Sequence, residues 1–276
     1  MAHLQCGKFR LSLERPLIMG VVNVTPDSFS DGGLFADPAQ AIAQARRLID
    51  EGADILDIGG ESTRPGSAPV PLAEERGRVL PVIESLSACA VPVAVDTRKP
   101  QLMREALAAG ASMINDINAL GAAGALEAVA ASDAAVCLMH LRGDPRTMQD
   151  APAYDDVVRE VRDYLRGRVA AAEAAGIARG RIVVDPGFGF GKTLEHNLAL
   201  LRGLHAFAEL GGALLAGLSR KSMLGQLTGR EVGERVYAGV AAALAAVKNG
   251  AHIVRVHDVA ATRDALAVWQ AVMSDE

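Results

Sequence analysis

The chain has 276 residues, 50% of them apolar, and a formal net charge of −5. This length and apolar content are enough to bury a sizeable core. The mildly acidic balance argues against a general nucleic-acid surface, which would show a basic excess. No apolar run approaches the roughly 18 residues that a bilayer span needs. We therefore expect a protein that binds neither nucleic acid nor a membrane.

Cysteine usage and the N-terminal segment bear on the cellular compartment. Cys6, Cys89 and Cys137 are odd in number, widely spaced and in no Cys-x-x-Cys pair. This pattern favours reduced thiols that pack as small hydrophobic side chains, so we expect neither a disulfide nor a zinc site. Residues 1–16 contain no apolar signal core. These features together predict a cytoplasmic protein.

Short apolar strands alternate with Ala-rich helical segments along the chain. In chain order the predicted strands are PLIMGVVN, ADILDIGG, VPVAVDT, ASMINDIN, AAVCLMH, RIVVDPG, ALLAGLS and HIVRVH. The helical segments between them include DPAQAIAQARRLIDEG and KPQLMREALAAG, each of which ends at a glycine, as helices commonly do.

Alternating strands and helices indicate parallel strand pairing. Eight such units fit a closed (β/α)8 TIM barrel, which takes about 250 residues. A doubly wound open sheet is the alternative. No linker, low-complexity tract or composition break divides the chain, so we predict one domain over residues 1–276. The residues before the first barrel strand are expected to form a short N-terminal hairpin that caps the barrel floor.

Polar residues follow every predicted strand. In a barrel of this kind, the side chains that meet substrate come from the carboxyl ends of the strands and from the loops that follow. In strand order these residues are Asn23; residues 61–64; Asp96; Asn115 and Asp116; His140; Asp185; residues 219–221; and Arg255 with His257. Any one of them is explained equally well by the need to solvate a strand end. The combination of residue types points to a site.

The chemistry of these residues suggests a class of ligand. Asp96 and Asp185 can each accept two parallel hydrogen bonds, and Asn115 offers both a donor and an acceptor. Asn23 supplies a neutral oxygen of the kind that hydrated Mg2+ accepts. Positive charge suited to phosphate comes from Arg64, Lys221, Arg255 and His257. The pattern predicts a planar nitrogen heterocycle held by carboxylates and an anionic group held by basic residues.

The glycine-rich segment PGFGFGKT, residues 186–193, is similar to two nucleotide-binding patterns but fits neither. A phosphate-binding loop needs glycine where Pro186 stands. The dinucleotide fingerprint needs one more residue between its last two glycines. We therefore disfavour a nucleotide site. Either the glycines shape a turn that presents Phe188 or Phe190 to a flat ligand, or both rings pack in the core.

Two segments, NVTPDSFSDGG and DIGGESTRPGS, resemble the signature loops of the bacterial dihydropteroate synthase family. The resemblance continues in order through VDTRKP, INDIN, LMHLRGDPRTMQ, VDPGFGFGK, LSRKSMLG and VRVHDV, and so covers nearly the whole chain. Members condense 6-hydroxymethyl-7,8-dihydropterin pyrophosphate with p-aminobenzoate, giving 7,8-dihydropteroate and pyrophosphate in folate synthesis. The resemblance implies a Mg2+-dependent barrel, a homodimer and inhibition by sulfonamides as competitors of p-aminobenzoate.

The resemblance also implies three groups of site residues. The pterin pocket would contain Asp96, Asn115, Asp185 and Lys221. Pyrophosphate would be held by Asn23, Thr63, Arg64, Arg255 and His257, with Asn23 as the Mg2+ ligand. The p-aminobenzoate site would be formed by Thr63, Arg64, Pro65, Phe190, Lys221 and Ser222. The first loop, NVTPDSFSDGG, would be a lid that closes once pyrophosphate has bound.

Two other functions remain as hypotheses at this point. A corrinoid-linked methyltransferase domain that binds methyltetrahydrofolate could share the pterin carboxylates. It has no need of a pyrophosphate site or of two long loops, and NVTPDSFSDGG, STRPGS and VRVHD together disfavour it. A non-catalytic paralogue that binds pterin is the third hypothesis, and the intact loop residues argue against it.

Overall fold

Eight parallel strands close into a barrel in the computed structural model, which describes residues 2–25, 37–63, 66–210 and 212–273. An antiparallel hairpin of β1 (His3–Cys6) and β2 (Phe9–Ser12) comes first. The barrel strands are β3 (Leu17–Asn23), β4 (Ile55–Gly59), β5 (Val93–Asp96), β6 (Met113–Asp116), β7 (Ala135–Met139), β8 (Ile182–Asp185), β9 (Ala213–Ala216) and β10 (Ile253–Val256). Because β10 pairs with β3, the sheet has no open edge, and the open-sheet alternative is wrong.

Helices alternate with the barrel strands, as the sequence pattern predicts. They are α1 (Pro38–Asp50), α2 (Leu72–Leu86), α3 (Pro100–Ala108), α4 (Ala125–Ala130), α5 (Val157–Ala174), α6 (Leu194–Arg202), α7 (Ser222–Thr228), α8 (Val236–Lys248) and α9 (Val259–Met273). The start of α1 has a plain local cause: the Asp37 side chain accepts a hydrogen bond from the Ala39 N–H, and Pro38 occupies the first turn. Within the described ranges, no helix is both long and apolar enough to cross a membrane.

The N-terminal hairpin closes the amino end of the barrel, as predicted. Leu4 and Cys6 of β1 are buried in one cluster with the inward-facing Met19, Ile55 and Met113. The Gly7 N–H donates to the Asp133 carbonyl at 3.0 Å, which fixes the hairpin to the start of β7. A separate and larger cluster fills the space between the barrel and its helices. The carboxyl end is the one that remains open.

The cysteines pack in the interior as expected for small hydrophobic side chains. Cys6 and Cys137 are buried, and Cys89 is half-buried. Burial raises the pKa of Cys6 to about 12 and that of Cys137 well above its usual value. Both buried thiols therefore stay protonated and unreactive at neutral pH.

Strand register brings the predicted site residues to one rim. Asn23 pairs with Gly59, Gly59 with Asp96, and Asp96 with Asn115 across adjacent parallel strands. These positions therefore lie side by side along the carboxyl edge, although they are far apart in sequence. Asp185, the last residue of β8, pairs with Met139 at the same edge.

Candidate active site

A cavity of about 540 Å³ opens at the carboxyl end of the barrel. Its wall contains most of the predicted site residues: Asn23, Thr63, Asp96, Phe190, Lys221, Ser222, Arg255 and His257. Asn115 and Asp185 are buried behind this wall: Asn115 donates to Asp57, and Asp185 accepts from the Gly187 N–H. Arg64 and Pro65 lie outside the described residues, as does the predicted lid NVTPDSFSDGG beyond Thr25.

A group of charged and polar side chains extends from β4, β5, β6 and β10. Arg255 Nε donates to Asp57 Oδ2 at 2.6 Å, and Arg255 Nη2 donates to Asp96 Oδ2 at 3.1 Å. Asn115 Nδ2 donates to the same Asp57 Oδ2 at 3.0 Å. One guanidinium thus joins two carboxylates, and Asn115 is held by one of them. Of the predicted residues, Asp96, Asn115 and Arg255 therefore form one connected group through Asp57.

Asp57 is the residue in this group that the strand-end argument missed. It lies in the middle of β4, in the run ILDIG, and its side chain is fully buried. A signal was present, because an aspartate in a strand buried on both faces is costly unless it is paired. Its other oxygen, Oδ1, has no hydrogen-bond partner within the described part of the chain.

Burial raises the pKa values of two of the predicted site carboxylates, Asp96 and Asp185. The pKa of Asp96 is raised to about 8, first by burial and then by the nearby Asp57 carboxylate, while Arg255 opposes the shift. Burial also raises the pKa of Asp185, against the opposing charge of Lys221. Both carboxyl groups therefore retain a proton more readily than a free aspartate. Groups that titrate near neutral pH inside a cleft are typical of functional sites.

Lys221 lies against the aromatic part of the cavity wall, within the electrostatic influence of Asp185. Its Nζ donates to the Phe188 carbonyl and lies 4.8 Å from the centroid of the Phe190 ring. Burial lowers its pKa to about 8, although Asp185 acts in the opposite direction. Phe188 is fully buried and belongs to the core cluster, although it also borders the cavity, and Phe190 is more exposed and lines the cavity. Phe188 therefore packs in the core at the edge of the cavity, and the Phe190 ring is the one stacked next to Lys221.

Lys192 is a second residue that the sequence interpretation missed. Its side chain is 3% exposed, and its ammonium donates to the carbonyls of Gly187 and Phe190, each at 2.9 Å. Its Nζ also lies 3.0 Å from His140 Nδ1. Burial lowers the pKa of Lys192 to about 7 and that of His140 to about 3. This lysine stabilises its own loop and does not project toward a phosphate, which fits the rejection of the nucleotide patterns.

The ends of β9 and β10 are joined on the basic side of the cavity. Ser219 Oγ lies 3.0 Å from His257 Nδ1, and the His257 N–H donates to Ser219 Oγ at 3.2 Å. Arg220 forms an ion pair with Asp258 at 2.6 Å. His257 is therefore held in place on the cavity wall that Arg255 and Lys221 also line.

The cavity offers few protein ligands for a metal, which fits a metal ion whose other ligands are water and substrate phosphate. In the described part of the chain, no group of three or more His, Cys, Asp or Glu side chains could hold a metal by itself. Asn23 lines the cavity and offers one amide oxygen. Mg2+ keeps several waters and is often bound by few protein oxygens together with substrate phosphates. Asn23 could therefore hold a Mg2+ ion that is brought in by a phosphate-bearing ligand.

The cavity has parts that can bind three kinds of chemical group. The buried carboxyl groups and Asn115 suit the polar edge of a flat heterocycle, and the basic residues suit a phosphate. The Phe190 ring with Lys221 suits an aromatic acid. No covalent nucleophile is needed for a reaction between such ligands, provided that one of them is a nucleophile and the other carries a leaving group.

Comparison with known proteins agrees with this chemistry. The sequence profile of the family described as "Pterin binding enzyme" matches residues 19–257. The dihydropteroate synthase of Neisseria meningitidis serogroup B is 54% identical over 275 residues, which span 97% of this chain and 96% of that protein.

Solved structures give the same answer for the fold. Xanthomonas albilineans dihydropteroate synthase with 4-aminobenzoic acid has a TM-score of 0.93 and 56% identity, covering 99% of this chain and 98% of that chain. The Burkholderia cenocepacia enzyme complexed with 7,8-dihydropteroate has a TM-score of 0.90 and 52% identity, with coverage of 99% and 97%. The Yersinia pestis enzyme with a sulfonamide drug complex has a TM-score of 0.94 and 46% identity, with coverage of 99% of each chain. The chain therefore belongs to the pterin binding enzyme family and, within it, to the dihydropteroate synthases.

Proposed function

We propose that this cavity carries out the dihydropteroate synthase reaction. The amine nitrogen of p-aminobenzoate bonds to the exocyclic methylene carbon of 6-hydroxymethyl-7,8-dihydropterin pyrophosphate. The bond from that carbon to the pyrophosphate oxygen breaks, and the amine loses one proton. The observation that carries the proposal is the convergence of Asp96, Lys221, Arg255 and Phe190 on one cavity at the barrel's carboxyl end.

The pterin would be bound by Asp96, Asn115, Asp185 and Lys221. The aminopyrimidine edge of a pterin presents adjacent N–H donors, which a buried carboxylate accepts in a defined orientation. Asp185 Oδ1 already accepts the Gly187 N–H at 2.8 Å, so the carboxylate is oriented before ligand arrives. The raised pKa of Asp96 allows its protonated form to donate a hydrogen bond to a ring acceptor.

The pyrophosphate would be bound by Arg255 and His257, with Thr63 and Arg64 completing the site and Asn23 as the protein ligand of Mg2+. When bound, Mg2+ neutralises negative charge that grows on the pyrophosphate as it leaves. Arg255 provides the same stabilisation from the protein, because its guanidinium is already oriented by Asp57 and Asp96. An interaction that becomes stronger as the leaving group departs stabilises the transition state more than the bound substrate. It therefore lowers the activation barrier.

p-Aminobenzoate would bind between Phe190, Lys221, Ser222 and the second loop with Thr63, Arg64 and Pro65. Its ring can pack on Phe190, and its carboxylate can approach Ser222 at the start of α7. Sulfonamides present a similar arylamine with an acidic tail, which supports competition for the same space. The first loop would close over both substrates and exclude water.

We also propose that the protein acts in the cytoplasm as a homodimer. The buried and unpaired Cys6 and Cys137 support a reducing compartment. Large exposed apolar side chains on α8 and α9, among them Tyr237 and Val268, support an interface on that face.

Pyrophosphate release tests the proposed reaction. Purified protein with Mg2+ and both substrates should release pyrophosphate and form 7,8-dihydropteroate, and omission of either substrate should prevent product formation. Chelation of Mg2+ should suppress turnover. Tight pterin binding without any product would favour the non-catalytic hypothesis instead.

A further inference from the structure

The loop between β4 and α2 begins with a carboxylate whose two oxygens are both engaged. Glu61 has a side chain that is 8% exposed. Its Oε1 accepts a hydrogen bond from Arg98 Nη2 at 2.9 Å. Its Oε2 accepts from Lys99 Nζ and from the Val70 N–H, the latter at 3.3 Å. The contact with Val70 joins the two ends of the loop, so this one side chain closes it.

The partners of Glu61 reach two further parts of the rim. Lys99 Nζ also forms an ion pair with Glu75 of α2, whose side chain is 1% exposed. Arg98 Nη1 lies 3.9 Å from Asp144 Oδ2, in the loop that follows β7. Glu61 therefore connects the loops that follow β4, β5 and β7.

A network of this kind restricts the loop more than an isolated surface pair would. Exposed ion pairs contribute little because water and side-chain entropy compete with them. Here Glu61 and Glu75 are both shielded from water, and Lys99 lies between them. Removal of one member leaves other charges poorly compensated, so the arrangement favours one loop position.

The Glu61 network also offsets a negative charge that would otherwise lie next to an anionic substrate. Glu61 lines the same cavity as Thr63, and a free carboxylate there would repel an anionic ligand. Two cations, Arg98 and Lys99, contact it and offset that charge. The carboxylate can therefore stay at the rim without opposing entry of an aromatic acid.

We propose that Glu61 is a positioning residue for p-aminobenzoate, which holds the Thr63-bearing loop in place through Arg98 and Lys99. The inference rests on the proposed function, which places Thr63 at the p-aminobenzoate site. The hydrogen bonds and ion pairs of Glu61 go to Val70, Arg98 and Lys99, and not to Asp96, Asp185 or Lys221. We therefore expect its main effect on the second substrate.

Glu61→Gln tests this role, because the amide keeps the shape of the side chain and removes its charge. At saturating pterin pyrophosphate, the KM for p-aminobenzoate should rise about tenfold, while kcat changes less than about threefold. Calorimetry with Mg2+ should give a Kd for pterin pyrophosphate within about twofold of the unmodified protein. A general loss of structure would instead weaken the binding of both substrates.

Two variants complete the kinetic experiment. Glu105→Gln breaks a carboxylate–arginine pair with Arg76, between α2 and α3, and should leave both constants unchanged. Arg98→Gln should raise the p-aminobenzoate KM in the same direction as Glu61→Gln. It also provides the test if the first variant does not fold. The KM of the double variant for p-aminobenzoate should exceed that of Glu61→Gln by no more than about twofold. Both substitutions break the same contact, the one between Glu61 and Arg98.

Amide hydrogen exchange gives a readout that does not depend on turnover. The Val70 N–H should exchange faster in Glu61→Gln than in the unmodified protein or in Glu105→Gln. An unchanged p-aminobenzoate KM in both Glu61→Gln and Arg98→Gln would overturn the proposal, as would unchanged exchange at Val70. If the unmodified protein forms no dihydropteroate, the proposed function fails, and the exchange experiment still decides whether Glu61 anchors the loop.

Discussion

Arg255 Nε donates to Asp57 Oδ2 at 2.6 Å while its Nη2 donates to Asp96 Oδ2 at 3.1 Å, so one guanidinium bridges β4 and β5 from β10. The two carboxylates repel each other, and the arginine between them offsets this repulsion. The bridge also fixes the direction of the guanidinium before any ligand binds. Preorganised charge of this kind is more effective than a mobile side chain, because less reorganisation is needed during the reaction.

Asp57→Asn should lower the free energy of unfolding by about 3 kcal/mol, since it breaks a buried ion pair and leaves Arg255 with Asp96 alone. Urea unfolding monitored by circular dichroism would measure the change. Asp163→Asn is the matched control, because Asp163 is half exposed and pairs with the exposed Arg166 at 2.8 Å on α5. The control should lose less than about 1 kcal/mol. Equal losses in the two variants would contradict a special role for the buried pair.

The barrel and most of its rim were predictable from the sequence, whereas the partners of Asp57 and Lys192 were not. Alternating strands and helices identify the fold, and parallel pairing places Asn23, Asp96 and Asn115 at one edge. Polar residues at strand ends carry that inference. Asp57 lies in mid-strand, and the chain alone does not say that a distant arginine compensates it. Lys192 lies in the glycine-rich segment PGFGFGKT, which is similar to a phosphate-binding loop. Only the fold shows that its side chain donates to carbonyls of its own loop.

Asp185→Asn should weaken pterin binding about tenfold or more, since one acceptor of a buried pair becomes a donor. Such a mismatch costs roughly 1–3 kcal/mol. The fold should survive, because Asn can still accept the hydrogen bond from the Gly187 N–H. Calorimetric titration with the pterin pyrophosphate would measure the loss. Unchanged affinity would place Asp185 outside the pterin pocket.

Gly187→Ala should disrupt the loop after β8 severely. Gly187 has φ +71°, and an added Cβ would lie 2.0 Å from the His140 carbonyl oxygen, a distance no packed carbon can adopt. We expect a loss of more than about 3 kcal/mol in the free energy of unfolding, or failure to fold.

Gly176→Ala is the control for Gly187→Ala, because its φ is +93° but no atom lies within 4 Å of an added Cβ. It isolates the cost of a positive φ without a clash, which is about 1–2 kcal/mol. Urea unfolding of both variants would separate the two causes. A loss in Gly187→Ala as small as that in Gly176→Ala would show that the His140 carbonyl can move.

Stability should depend on pH through Asp96, whose pKa rises from 3.8 to about 8 on folding. Between about pH 4 and pH 8 the folded chain holds this proton while the unfolded chain releases it, so the contribution of Asp96 to stability falls as pH rises. Asp96→Asn does not titrate. The free energy of unfolding of the unmodified protein, minus that of the variant, should therefore fall by at least about 1 kcal/mol between pH 5 and pH 8. A difference that stays constant across this range would contradict the raised pKa.

The exposed apolar side chains on α8 and α9 predict the interface of the homodimer. Tyr237, in the first turn of α8, is 88% exposed, and Val268 and Val272 of α9 are 67% and 70% exposed. Large apolar side chains grouped on neighbouring helices are costly to leave in water and are typical of contact surfaces.

Light scattering should therefore give twice the chain mass of 28.8 kDa at micromolar concentration. Tyr237→Asp should reduce the mass to that of one chain, because it would bury a charge without a partner. Ala43→Asp, at an exposed position of α1, adds the same charge elsewhere and should leave the mass unchanged. A single-chain mass for the unmodified protein would rule out the dimer, and a dimer that survives Tyr237→Asp would place its interface on another face.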